Sequence, residues 1–142
     1  MSPEAGAVRC GGPFQLPDPG SLRVAGRFPE TAPAGGRTLR GEVEVTSAEP
    51  VRGVTAPGAD VFLVRGDEIV TTPIAQDAVG VVWESAAGET RSMPAVASLV
   101  SCGPEGGPLR AGSYEVYARV TVTADDGTSR RGFGGPWPLR LE

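Results

Sequence analysis

The chain has 142 residues, a length that suits one domain with a hydrophobic core of its own. Its formal net charge of −4 gives no electrostatic reason to bind nucleic acid. No apolar stretch approaches the roughly 20 residues that span a bilayer. Because the chain contains no histidine, a Ser–His or Cys–His nucleophile pair, an imidazole base and an imidazole metal ligand are all excluded.

In the first half of the chain, glycine and proline separate short runs of alternating apolar and polar residues, a pattern typical of strands. Residues 1–20 are rich in both residue types and show no period, so we expect a flexible N-terminal segment there and one domain over residues 21–142. Residues 30–36 read as a loop. The strands predicted for this half are residues 21–28, 38–47, 51–55, 59–64 and 69–72.

In the second half, residues 73–78 form a linker that is the one place where a helical turn is plausible, and residues 86–92 read as a polar loop. An Asp-Gly turn at residues 125–128 predicts a hairpin, because these residues tolerate the positive φ values that tight hairpins need. A bulge or kink is expected at residues 134–136. The strands predicted for this half are residues 79–84, 93–101, 114–122 and 129–141, the last with this bulge inside it.

The clearest strand follows a turn at Ala111 and Gly112. Its inward face is predicted to carry Tyr114, Val116, Ala118, Val120 and Val122. Glu115, Tyr117, Arg119, Thr121 and Thr123 are predicted on the solvent face. About eight short strands with frequent turns and no amphipathic helix indicate a sandwich or a barrel.

The spacing of Leu109, Gly112 and Tyr114 resembles the corner before the penultimate strand of immunoglobulin-like and fibronectin type III-like domains. The resemblance implies an antiparallel Ig-like β-sandwich of about seven to nine strands, in which the tyrosine hydroxyl bonds to backbone upstream. Val116 stands where an antibody-type domain carries its second core cysteine, so the resemblance concerns architecture. The chain also looks like secreted or lipid-anchored Ig-like domains of GC-rich bacteria, and the bacterial intracellular proteinase inhibitor fold is similar.

The two cysteines, Cys10 and Cys102, are too far apart for a local metal knuckle, and two thiolates do not close a zinc site. We therefore expect a disulfide, which implies export and a secreted or cell-envelope location. Two buried thiols in a cytosolic protein are the main alternative. A third is acylation of Cys10, which the preceding residues do not resemble. No secretion signal is visible, so we expect the chain to begin just after a removed signal peptide or anchor.

These features favour a non-catalytic extracytoplasmic binding or structural module of unknown ligand, acting as a monomer on an unknown protein or cell-envelope partner. We expect no enzyme activity, no cofactor and no metal. A protease inhibitor that presents Arg91 on an exposed loop is one alternative. A carbohydrate-binding module with Tyr117 and Trp137 exposed is another. The Arg65-Gly66-Asp67 tripeptide fits ordinary turn chemistry better than adhesion.

Overall fold

A computed structural model of the protein describes residues 9–14, 20–76, 80–104 and 106–142, and within these ranges it is all-β with no helix. The all-β class predicted from the sequence is confirmed. The strands are β1 (Leu22–Arg27), β2 (Thr31–Ala32), β3 (Thr38–Ser47), β4 (Val51–Thr55), β5 (Asp60–Arg65), β6 (Glu68–Ile69), β7 (Val81–Ser85), β8 (Thr90–Ser98), β9 (Gly112–Thr123) and β10 (Ser129–Leu141).

The strands form one curled, mixed sheet, with the order β6-β5-β9-β10-β1-β3-β8 along its main path. β2 pairs with β10, and β4 pairs with both β7 and the end of β9. The pairs of β10 with β1 and with β2 are parallel. The sheet curls far enough for the Ala59 N–H to donate to the Pro94 carbonyl at 3.0 Å, so β8 approaches the start of β5.

This topology differs from a purely antiparallel sandwich of about seven to nine strands, since the described residues contain ten strands and two parallel pairs. The physical reason lies in the connections. Antiparallel neighbours are joined by short hairpin turns, as β9 and β10 are across residues 124–128. β1 and β10 are far apart in the chain, so no turn dictates their relative direction.

The inward face of β9 carries the core. Tyr114, Val116, Ala118, Val120 and Val122 are all buried, as the alternation predicts. They belong to the main cluster, a continuous set of buried side chains from β1, β3, β4, β5, β7, β8, β9 and β10 and the segments around them. Burial of this apolar surface is what holds the curled sheet together.

Several boundaries differ from the predicted ones. β8 begins at Thr90, so the polar loop expected over residues 86–92 is shorter than predicted. β2 lies inside the loop predicted for residues 30–36. Residues 73–76 contain no helix, and residues 77 and 78 of that linker lie outside the described residues. The bulge expected at residues 134–136 is confirmed: β10 continues through it, and its register with β9 shifts between Gly134 and Trp137.

Candidate functional site

An open trough lies where β4 gives way to β5 along the same edge of β9. Thr55 pairs with Val122 and Asp60 pairs with Arg119, so the four residues 56–59 lie opposite only two residues of β9. The backbone leaves the edge there and crosses towards β8 through Ala59. The resulting trough has a volume of about 600 Å³. Its polar lining residues include Thr55, Asp60, Arg119, Thr121, Thr123 and Asp125.

A charge pair closes one end of the trough. The Arg119 Nη2 atom lies 3.2 Å from the Asp60 Oδ2 atom, and both side chains are half-buried. The Gln76 amide donates to the other Asp60 oxygen at 3.4 Å. A half-exposed pair of this kind contributes little to stability, but it gives the trough a fixed donor and a fixed acceptor side by side.

An exposed apolar strip borders the trough. Val82 of β7 is 73 % exposed, and its cross-strand neighbour Val54 of β4 is 44 % exposed. Val81 adds further apolar surface on β7. Among the described strands, β7 pairs only with β4. We call Val54, Val81 and Val82 the valine edge. Such an edge is unusual because natural proteins protect edge strands with charges or bulges.

A second region of interest is the N-terminal strap, residues 9–14. Residues 1–8 and 15–19 of the segment expected to be flexible lie outside the described residues. The strap lies along β6: the Gly11 N–H donates to the Ile69 carbonyl at 2.8 Å, and the Ile69 N–H donates to the Gly12 carbonyl at 3.0 Å. The Phe14 N–H donates to the Asp67 carbonyl at 2.7 Å.

A disulfide fastens this strap. Cys10 and Cys102 are bonded, with their Cα atoms 5.7 Å apart, and the Cys102 N–H donates to the Val70 carbonyl at 3.0 Å. The bond therefore joins the strap to the segment before β9, and it does not cross between core strands as in antibody domains. The disulfide expected from the sequence is present and is compatible with an extracytoplasmic location.

Tyr117, expected to be exposed, is buried at 5 % exposure, so that prediction is wrong. Phe62, Val64 and Ile69 are buried with it in a small outer cluster on the solvent face of the sheet, and Phe14 and Phe133 pack against it. The strap covers the Tyr117 side chain, because the centroids of the Phe14 and Tyr117 rings are 4.2 Å apart.

The Tyr117 hydroxyl donates to the Glu115 Oε2 atom at 3.0 Å. Burial, followed by this hydrogen bond and the charge of Glu115, raises the pKa of Tyr117 to about 12. The phenol therefore stays neutral at any ordinary pH, and its ring is unavailable for stacking on a sugar while the strap is docked.

The other two residues expected to form an exposed binding surface are also engaged elsewhere. Trp137 is half-buried against the main cluster, with its ring 5.6 Å from that of Phe28 between centroids. Arg91 lies within β8, not on a loop tip, which corrects the prediction. Its guanidinium donates to the Glu84 carbonyl and lies 5.5 Å from the centroid of the Trp83 ring. The three residues therefore do not form one site.

The corner residues lie together. Leu109 is buried, Gly112 begins β9 with a φ of 149°, and the Tyr114 hydroxyl donates to the Arg110 carbonyl at 2.7 Å. Arg65 folds back onto this corner, with its guanidinium carbon 5.4 Å from the centroid of the Tyr114 ring. The arginine of the Arg-Gly-Asp turn is therefore directed towards the protein.

Sequence reasoning missed Phe14 and Val82, the two residues that characterise the strap and the valine edge. Phe14 lies in a segment without periodicity, and its proximity to Cys10 was the one available signal. Val81 shares a face of β7 with the buried Trp83, but as the first residue of the strand it is itself exposed.

Two features of the described part of the chain bear on other functions. No group of three or more His, Cys, Asp or Glu side chains is placed there to hold a metal ion. These residues also include no helix with the length and apolar character that crossing a membrane requires. Comparisons with protein-family models, curated proteins and solved structures found no match to this chain.

Proposed function

We propose that the protein is a non-catalytic binding module that acts outside the cytoplasm and binds an extended polypeptide at the valine edge. The observation that carries this proposal is the exposure of Val82, at 73 %, on a strand that has a neighbour on one side only within the described residues. Burying such a side chain against a partner would contribute about 1.5–3 kcal/mol.

The edge has the chemistry of strand addition. An open edge offers backbone N–H and C=O groups to an incoming strand, and alternate side chains provide specificity. Because the Glu84 carbonyl of β7 already accepts from Arg91, the added strand would pair along the Val81–Val82 end. Val54 and Val82 form an apolar contact surface across two strands. The Asp60–Arg119 pair in the adjoining trough would orient a polar group of the same ligand. Because the Asp60 carboxylate and the Arg119 guanidinium already bond to each other, the pair suits recognition of a polar group better than proton transfer.

The location and the ancestry of the fold belong to the same proposal. The Cys10–Cys102 disulfide supports a secreted or cell-envelope protein, because such bonds persist in oxidising compartments. The hydrogen bond from Tyr114 to Arg110 ahead of β9 supports an immunoglobulin-like origin, since that corner is its most specific feature.

The alternatives have weaker support. Protease inhibition would need Arg91 on an accessible loop, and its guanidinium is held against β7. Carbohydrate stacking would need Tyr117 and Trp137 on one surface, whereas they pack in the outer and main clusters respectively.

The test is selection from a displayed library of random heptapeptides, followed by affinity measurements on purified variants. We expect enriched peptides to carry alternating apolar residues and to bind Val82→Arg about tenfold more weakly than wild type. Ala25→Arg, which changes another exposed small apolar residue on β1, is the matched control and should bind like wild type. Equal binding to Val82→Arg, or no enrichment over an unrelated protein, would remove the proposal.

A further inference from the structure

The strap shows how the outer surface of the sheet accepts an extended segment. Its three backbone hydrogen bonds, to Ile69 and Asp67, follow the pattern of a strand added beyond β6. Pro13 lies opposite Glu68 as an isolated antiparallel bridge. The backbone of residues 11–14 is therefore bound as a peptide ligand would be in strand addition.

Under the strap lies an aromatic floor, formed by Phe62, Tyr117 and Phe133. The three residues come from β5, β9 and β10, which are held by their own ladders. The ring of Phe14 lies 4.2 Å from Tyr117, 5.7 Å from Phe62 and 6.2 Å from Phe133, between centroids. Because the sheet supplies the floor, an aromatic side chain from another segment would find the same surface in place.

The groove is acidic on its β6 side, and Arg119, which lies opposite Phe133, forms an ion pair with Asp60. Asp67 and Glu68 lie on the β6 side, and Glu115 bonds to Tyr117 at the floor. The strap itself brings a cation, Arg9, at its outer end. Arg65 is nearby, but its guanidinium is turned towards Tyr114. A ligand with an aromatic residue and a positive charge is therefore complementary to the groove.

The disulfide determines whether this groove is available. Cys10 is exposed and Cys102 is half-buried, so the disulfide lies near the protein surface. Apart from the disulfide, the contacts named above for the strap are backbone bonds to β6 and one half-buried ring. Without the disulfide, the strap would be held only weakly. It would still compete with a partner for the groove, because its connection to the rest of the chain keeps it at a high effective concentration.

We propose that the aromatic floor and the β6 edge form a redox-gated groove for an extended, basic polypeptide segment that carries an aromatic residue. The protein's own residues 9–14 fill the groove while the disulfide is intact. This site is separate from the valine edge and does not depend on it.

The gating step is a thiol–disulfide exchange with a dithiol reductant. One thiolate of the dithiol attacks the Cys10 sulfur, and Cys102 leaves as a thiolate that takes up a proton. The second thiol of the reductant then displaces Cys10 from the mixed disulfide. Two electrons pass from the dithiol to the cystine, which yields two cysteine thiols and a cyclic disulfide of the reductant.

The test uses the full chain and a labelled hexapeptide with the sequence of residues 9–14, in which serine replaces the cysteine. Fluorescence anisotropy measures its affinity for oxidised wild type, for wild type reduced by a dithiol, and for the Cys10→Ser/Cys102→Ser variant. We expect both forms without the disulfide to bind at least about tenfold more tightly than oxidised wild type. A peptide with alanine at the phenylalanine position should bind about tenfold more weakly.

Two further variants localise the binding. Phe14→Ala in the chain without cysteines removes the internal competitor and should tighten peptide binding, whereas Phe133→Ala removes part of the floor and should weaken it. Tryptophan emission reports on the main cluster, because Trp83 and Trp137 both pack there and neither belongs to the outer cluster. Equal binding to the oxidised and reduced proteins, or no binding to a reduced protein with native tryptophan emission, would overturn the proposal. Equal affinity for the phenylalanine-containing and the alanine-containing peptides would overturn it as well.

Discussion

Two tyrosines of β9 show how one strand places the same residue type in different environments. Tyr114 and Tyr117 are an odd number of positions apart, so alternation directs them to opposite faces of the sheet. Tyr114 faces the main cluster and donates to the Arg110 carbonyl at 2.7 Å. Tyr117 faces outward and donates to a carboxylate on an exposed residue of its own strand.

We expect Tyr114→Phe to lower the free energy of unfolding by about 1–3 kcal/mol, because the Arg110 carbonyl loses its donor. Tyr117→Phe is the matched control, and its cost should be below about 1 kcal/mol because the Glu115 carboxylate remains solvated. Urea denaturation of both variants measures the difference. Equal costs would contradict a special role for the corner before β9.

At the scale of elements, the junction of β4 with β9 shapes the trough. The two strands approach closely at Gly53, where a Cβ atom would lie 2.4 Å from the Thr123 carbonyl oxygen. The contact is with backbone, which cannot rotate away as a side chain can. Glycine at this position lets β4 reach the edge of β9 before the chain departs at residues 56–59.

Gly53→Ala is therefore expected to destabilise the protein by about 1–3 kcal/mol, as overpacking does in other cores. Gly103→Ala is a suitable control, because its Cβ would lie 3.4 Å from the Ser101 hydroxyl oxygen, an ordinary contact with a side chain. Denaturation curves in urea give both values. If Gly53→Ala were as stable as the control, the close approach of β4 to β9 would not constrain the junction.

At the scale of the whole molecule, the buried apolar side chains of the described residues fall into two clusters on opposite faces of the sheet. The main cluster contains neither cysteine, whereas the outer cluster lies under the strap that Cys10 anchors. The disulfide closes a loop with a sequence separation of 92. It therefore restricts the unfolded chain strongly without contributing to the main core.

We expect Cys10→Ser/Cys102→Ser to remain folded but to lose up to about 4–5 kcal/mol of unfolding free energy, the chain-entropy value for a loop of this length. Circular dichroism should show an unchanged strand spectrum, and urea titration should give the loss. Reduced wild type should match the double variant. A double variant already unfolded in buffer would show that the main cluster is insufficient to hold the sheet.

Much of the fold could be predicted because its signals are local. Alternation with a period of two assigned the faces of β9, and the same pattern placed β3 at residues 38–47. The candidate sites were harder to predict. Val82 faces away from the buried Trp83, and its exposure depends on whether another segment covers that face. Arg91 contacts β7 because β8 begins earlier than its apolar run suggests.

By itself, the sequence determined the all-β class and most of the strands, because both follow from local alternation, and it favoured a bond between its two cysteines that the tertiary structure then showed. The tertiary structure alone decided the parallel placement of β1 beside β10 and the burial of Tyr117 beneath Phe14. Alternation specifies which way a side chain points, but what covers that face depends on contacts between distant segments, and those contacts form only when the chain folds.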